Sequence, residues 1–149
     1  MSEEPAVRTD APPRHLWVIG VLALLWNAMG AFDYLMTQTR NESYMGNFTP
    51  EQLEYFYGFP TWVVAFWALA VWGGVLGTIL LLMRKRLAVG VFLVSFVSMV
   101  ITSFHNFVLS DGMEAMGGVG PLIFSVVIFF VALGLWIYSR AMAQQGVLT

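Results

Sequence analysis

Two titratable side chains lie inside long apolar stretches of the sequence, where a charge is costly. Asp33 falls in the stretch 16–36 and His105 in the stretch 87–109. If both stretches are helices that enter a membrane, Asp33 lies roughly 4.5 Å and His105 roughly 6 Å below the same surface. A carboxyl group and an imidazole at matching depth form an acid–base pair suited to moving protons. The structural alternative is that each side chain hydrogen-bonds a neighbouring helix.

Further polar residues share helix faces with this pair. One face of the stretch 87–109 carries a polar stripe at helical spacing: Ser95, Ser98, Thr102 and His105. Asn106 lies beside the stripe, and Asn27 and Tyr34 share a face of the first stretch. Such faces turn toward other helices or toward a water-filled cavity, so the stripe is either a set of inter-helix hydrogen bonds or a polar path with His105 as its titrating gate. The candidate polar site comprises Asp33, His105, Asn106, Thr102, Asn27 and Tyr34.

Small residues in the stretch 59–83 predict close helix packing. Gly73 and Gly77 form a G-x-x-x-G pattern, which lets the backbones of two helices approach each other. The pattern fits packing within the chain or between two copies of it, and it carries no information about a ligand.

Several chemistries are not supported by the residue types. The chain has no cysteine, which excludes thiolate catalysis, disulfide exchange and cysteine-ligated clusters. It also has no glycine-rich phosphate loop and no metal-ligand cluster. His15 and His105 lie near opposite ends of the apolar stretches. We therefore expect no enzyme activity, no catalytic residue, no metal and no cofactor. A net charge of −2 gives no pull toward nucleic acid.

Four apolar stretches must position these residues. The 149 residues are 58% hydrophobic and 11% charged, against about 25% charged in an average soluble domain. A helix needs about 20 apolar residues to cross a hydrocarbon core. Four stretches reach that length: 16–36, 59–83, 87–109 and 119–139. Asp33 is the single charged residue inside them. The sequence therefore predicts an all-α integral membrane protein, a four-helix bundle in the lipid bilayer.

The basic residues set the predicted orientation. Six of the seven lie on one side of the four stretches: Arg8, Arg14, Arg84, Lys85, Arg86 and Arg140. The opposite side carries Arg40 and five acidic residues. Because basic loops stay in the cytoplasm, both termini are predicted to be cytoplasmic.

The remaining segments are predicted to be tails and loops. Residues 1–15 form a disordered cytoplasmic tail, and residues 140–149 form a second cytoplasmic tail. In the first outer loop, Thr49 and Gln52 form a capping box that predicts a short helix over 50–57 at the membrane interface. The first apolar stretch is longer than the core of a usual signal peptide, so we expect it to be retained rather than cleaved.

Three stretches carry a resemblance to known proteins: 26–34 (WNAMGAFDY), 55–62 (YFYGFPTW) and 72–74 (WGG). They look like a group of small four-span bacterial inner-membrane proteins without an established function, some of which bear a loose sugar-transporter label. The resemblance covers most of the four-span region. It implies a multi-pass protein of the bacterial inner membrane and brings no site residue with it. In span number and size the chain is also similar to DoxX-like four-helix proteins, a likeness of architecture that does not extend to function.

Two functions compete on this basis. The first is a non-enzymatic structural or accessory subunit, within a homo-oligomer or a larger membrane complex, which the small size and the glycine pattern favour. The alternative is a small-solute transporter or channel, proton-linked through Asp33 and His105, which the polar stripe favours. An enzyme acting on a lipid or a quinone comes third, because no pocket is evident from the sequence. The ligand is not identified.

Overall fold

The structure is a computed structural model and describes residues 12–110, 112–115 and 119–149. All regular elements in these residues are helical, as predicted. Residues 1–11 of the predicted tail 1–15 lie outside the described residues, whereas Arg14 and His15 form the start of the first long helix.

Four helices are long and apolar enough to cross a membrane. They are α1 (Arg14–Gln38), α4 (Thr61–Leu82), α5 (Leu87–Phe104, continued by a π-helical segment, His105–Leu109) and α7 (Val119–Gln144). Three short helices lie in the loops: α2 (Glu42–Met45), α3 (Pro50–Tyr57) and α6 (Gly112–Ala115). The long helices coincide with the four predicted stretches, because length and hydropathy alone identify them.

The last helix extends beyond the predicted span. Residues 140–144 continue α7 because strong helix formers follow Ser139. The helix ends at Gln144, and Gly146, just beyond this end, has a φ of 77°. The N–H of Gly146 donates to the Ala143 carbonyl at 3.2 Å and that of Val147 to the Met142 carbonyl at 2.9 Å, which is a Schellman motif. The predicted tail 140–149 is thus a folded part of the bundle.

The chain packs in the order α1, α4, α5, α7. Helix α4 lies between α1 and α5, and α5 also packs against α7. A Cβ added at Gly77 would lie 2.8 Å from the Phe92 ring, and one at Gly73 would lie 3.1 Å from the Ser95 Cβ. The G-x-x-x-G glycines therefore give α5 close access to α4 within one chain.

The two ends of the bundle are built differently. The basic end comprises Arg14, Arg140 and the turn 84–86, and the loop end, on the opposite side, carries α2 and α3. A core of buried apolar side chains fills the basic end: Leu16, Leu81, Ala88, Met142 and Leu148. The N–H of Thr149 donates to the Arg84 carbonyl at 3.0 Å, so the final residues of the chain are tied to the turn 84–86.

The capping box predicted for the first loop is formed. The N–H of Gln52 donates to Thr49 Oγ1 at 3.2 Å, and the N–H of Thr49 donates to Gln52 Oε1 at 3.0 Å. Helix α3 spans the predicted residues. Helix α2 was not predicted, although Asn41 is a favourable N-cap residue and its Oδ1 accepts from the Tyr44 N–H at 3.1 Å.

Candidate functional site

A cavity of about 510 Å³ lies between the four long helices, and residues of the first loop contribute to it. Its wall includes polar side chains from α1, α5 with its π-helical segment, and α7: Asn27, Asp33, Ser95, Thr102, Ser103, Asn106 and Ser125. Cavities of this size, mostly apolar with a few polar groups, are typical of sites for small molecules. The cavity is therefore the candidate functional site.

Aromatic side chains form much of the rest of the wall. Trp26 and Trp67 contribute from α1 and α4, and Phe48 and Phe56 contribute from the first loop. The rings of Phe48 and Phe56 pack edge to face, with their centroids 5.3 Å apart. This pair forms part of the cavity wall at the loop end.

Asp33 is the single charged side chain among the described residues that line the cavity. It is half-buried, and its Oδ1 accepts a hydrogen bond from the Tyr44 hydroxyl. Burial, followed by this hydrogen bond and the negative charge of Asp33, raises the pKa of Tyr44 to about 12. Tyr44 therefore stays a neutral donor at physiological pH, and α2 is tied to α1 through a carboxylate of the cavity wall.

His105 lies behind the cavity wall. Its ring is 7% exposed and packs edge to face against Phe59 and Trp62, at centroid distances of 5.8 and 5.4 Å. Nδ1 of His105 lies 3.1 Å from Oδ1 of Asn106, and Asn106 does line the cavity. The expected pairing of Asp33 with His105 is not a direct contact here, because Tyr44 bonds Asp33 and Asn106 bonds His105.

Asn106 also joins the π-helical segment to α3. The Tyr55 hydroxyl donates to Asn106 Oδ1 at 3.1 Å and lies 2.8 Å from Ser110 Oγ. Ser110 Oγ in turn donates to the His105 carbonyl at 2.9 Å, in the last turn of the helix, where carbonyl groups have no backbone partner further along the helix. The α-to-π transition at His105, absent from the sequence prediction, thus anchors the first loop to the end of α5.

The other predicted site residues divide between the cavity and the packed helices. Asn27 lines the cavity, and its Nδ2 donates to the Ala23 carbonyl at 2.9 Å and to Thr78 Oγ1 at 3.2 Å. Thr102 lines it as well and donates to the Ser98 carbonyl at 2.9 Å.

Tyr34 belongs to the helix packing instead. Its ring meets Trp67 at 4.9 Å and Trp72 at 6.5 Å, both edge to face, between α1 and α4. In the polar stripe, Ser95 both lines the cavity and donates across to the Ala70 carbonyl at 2.6 Å. The inter-helix hydrogen bonds and the polar wall are therefore carried by the same face of α5.

Sequence reasoning missed the contributions of the first loop and α7 to the cavity, among them Tyr44, Phe48, Phe56 and Ser125. Ser125 is an isolated polar residue in an apolar stretch, which is a readable signal. The three aromatic residues carry no such signal, because their place depends on how the loop folds over the helices.

Comparisons of the chain with protein-family models, with curated proteins and with solved structures found no match. Among the described residues, no group of three His, Cys, Asp or Glu is placed to hold a metal ion. The functional argument therefore depends on the geometry of the cavity.

Proposed function

We propose that the protein is a multi-pass protein of the bacterial inner membrane that binds a small solute between its helices and carries it across the bilayer. The observation that carries this proposal is the cavity of about 510 Å³, with one carboxylate in its wall, enclosed by four helices of membrane-spanning length. Polar and ionisable groups within membrane spans face the bundle interior and mark substrate pathways more often than they face lipid.

In the proposed orientation both termini and the basic end lie in the cytoplasm, following the distribution of Lys and Arg. The loop end then faces the periplasm. There Arg40, the single basic residue on that side of the sequence, packs over the Tyr57 ring at 4.2 Å. Arg40 is the one basic residue that opposes the proposed orientation, and this cation–π contact stabilises its charge.

In this proposal the first loop, whose Phe48 and Phe56 line the cavity, controls access from the periplasm. Polar contacts that hold this loop include Tyr44 to Asp33 on α1, and Tyr55 to Asn106 and Ser110 at the end of α5. Loops that cover a site open on microsecond to millisecond timescales in many proteins. Release of these contacts would allow Phe48 and Phe56 to move away from the cavity.

A thermal-shift screen of the purified protein tests the proposal. The panel contains three solute classes: neutral sugars, organic cations and organic anions. The matched variants are Ala70→Phe, which fills the cavity wall, and Ala65→Phe, at an exposed position of the same helix. We expect at least one class to raise Tm for wild type and Ala65→Phe but not for Ala70→Phe. Equal shifts in both variants, or no shift with any class, contradict an interior binding site.

Proton coupling through Asp33 and His105 is the second part of the proposal. Asp33 lines the cavity, and His105 reaches it through Asn106. In pyranine-loaded proteoliposomes, addition of the solute class that binds is expected to drive a proton flux across the membrane. Asp33→Asn or His105→Ala should abolish this flux, whereas His15→Ala, a change at the basic end, should not. A proton flux at wild-type rate in both variants rules out the coupling.

An accessory-subunit role is the second candidate, and the surface of α7 favours it. Only 6% of the most apolar window of this helix is buried in the described residues, so lipid or a partner helix must cover the remainder. The glycine pattern no longer argues for self-association, because α4 and α5 use it internally. A monomer with no co-purifying partner, measured by native mass spectrometry, would contradict a homo-oligomer or a larger complex.

A further inference from the structure

We propose that the solute is an organic cation, a quaternary or protonated amine on an apolar body, and that Asp33 is its counter-ion. The inference depends on the proposed function, since it assigns the ligand class of the same cavity.

The first argument is charge. Asp33 lines the cavity, and no Lys, Arg or His is among the described residues that line it. Among the described residues, the hydrogen-bond donor to Asp33 is the neutral Tyr44 hydroxyl, and no cationic side chain of these residues lines the cavity beside it. A carboxylate facing a low-dielectric space attracts a cation and repels an anion.

The second argument is the aromatic wall beside the carboxylate. Tyr44 packs against Phe48 at a centroid distance of 6.0 Å, and Phe48 packs against Phe56 at 5.3 Å. All three residues line the cavity at the end where Asp33 lies. Aromatic faces carry negative potential and bind quaternary ammonium groups, so this wall and Asp33 favour the same charge.

The third argument is the state of the polar groups in the wall. A sugar needs many free donors and acceptors, but Asn27 Nδ2 already makes two hydrogen bonds and Asn106 Oδ1 already accepts from Tyr55. Deeper in the bundle the wall is largely apolar, with Met99, Ile128, Val131 and Leu135, and its polar members Asn27 and Ser95 are hydrogen-bonded to the neighbouring helix α4. This part suits an alkyl or aromatic body and leaves sugar hydroxyls unsatisfied.

Binding of a cation also competes with the loop contact. The ammonium group and the Tyr44 hydroxyl both interact with the Asp33 carboxylate. A bound cation therefore weakens the Tyr44–Asp33 hydrogen bond that joins α2 to α1. Tyr44→Phe keeps the ring and removes the competing hydroxyl. We expect it to bind the cation several-fold more tightly.

The test uses two probes of one shape, benzyltrimethylammonium and its neutral carbon isostere neopentylbenzene. Binding to the full chain in detergent is followed by the fluorescence of tryptophans, of which Trp26 and Trp67 line the cavity. We expect the ammonium to bind wild type saturably and about tenfold more tightly than Asp33→Asn. Glu54→Gln, an exposed acidic position on α3, should match wild type. Asp33→Glu should restore most of the affinity, which separates loss of charge from misfolding.

Four results overturn the inference. Equal affinity of wild type for both probes would show that Asp33 is not a counter-ion. Equal affinity of wild type and Asp33→Asn for the ammonium would show the same. If the ammonium does not bind, but a sugar or an anion raises Tm for wild type and not for Ala70→Phe, the ligand is not an organic cation. The proposed function is not contradicted by that result. If no ligand distinguishes wild type from Ala70→Phe, both the organic-cation inference and the proposed function are contradicted.

Discussion

The basic end and the loop end of this bundle consist of the same four helices but differ in how tightly the helices pack. At the basic end the side chains of Leu16 and Leu81 are 0% exposed, and Leu148 is 2% exposed. From the edge of this core, at Phe92 and Leu135, toward the loop end the helices line a cavity instead, with Asp33 half-buried in its wall. The difference follows from the connections, because only four residues, 83–86, join α4 to α5 at one end, whereas α2 and α3 of the first loop pack against the helices at the other.

This contrast indicates which end of the bundle is rigid and which end gives access to the cavity. Between membrane helices there is little hydrophobic driving force, so stability comes from close packing and hydrogen bonds. The basic end supplies the packing, and it also binds its last residues to the turn, where Arg84 Nε donates to the Val147 carbonyl at 3.2 Å. The loop end is held by a few side-chain hydrogen bonds, so its covering segments open at lower cost.

The largest effect on stability is expected from Gly77→Leu. The added side chain meets the Phe92 ring, since even a Cβ would lie 2.8 Å from it. Overpacking of this kind costs about 3 kcal/mol, and chemical denaturation in detergent followed by circular dichroism measures it. Gly134→Leu is the control, because a Cβ there meets nothing within 4 Å. Equal stability of the two variants would contradict the tight α4–α5 contact.

A smaller loss is expected from Leu148→Ala at the basic end. Removing a side chain that is 2% exposed leaves a void, which costs about 2 kcal/mol or more. Leu87→Ala, at a position that is 66% exposed, is the matched control. Limited proteolysis should also cleave Leu148→Ala earlier after Arg84 or Lys85. If Leu148→Ala behaves like its control, the last residues are not part of the core.

The smallest effect is expected from the Tyr44–Asp33 contact and depends on pH. The folded pKa of Tyr44 is raised from 10.0 to about 12, so the stability it contributes is present below pH 10 and is lost as the pH rises toward 12. The Tm difference between wild type and Tyr44→Phe should therefore be constant up to pH 10 and then shrink. Absorbance at 295 nm should show one fewer high-pH tyrosine in Tyr44→Phe. A tyrosine titration identical in both proteins would contradict the contact.

The sequence predicts local features of this fold well. The four long helices follow from hydropathy over a fixed length, and α3 follows from the Thr49–Gln52 cap. The inward face of α5 follows from helical spacing, since Ser95 and Ser98 are both buried. Each of these inferences uses residues close together in the chain.

Features that depend on distant contacts are not predictable in this way. The cavity is a space between helices, and its size depends on how residues from distant parts of the chain pack, which no local sequence pattern specifies. Asp33 was assigned His105 as a partner from matching depth, but the fold of the first loop brings Tyr44 to it. The end of α7 was assigned as a tail because hydropathy falls at Arg140, although helix propensity continues to Gln144.

Thiol labelling tests the central claim most directly, because the chain has no native cysteine. Thr102→Cys places a thiol on the cavity wall, and Val100→Cys places one at a position 38% exposed on α5, outside the residues that line the cavity. A charged methanethiosulfonate reagent reacts with thiolates in water and not with thiols in lipid. Added to the side of the membrane that the loop end faces, it should label Thr102→Cys, more slowly with benzyltrimethylammonium present, and leave Val100→Cys unlabelled. Equal labelling of the two positions, or none at Thr102→Cys, would contradict a solute-accessible cavity between the helices.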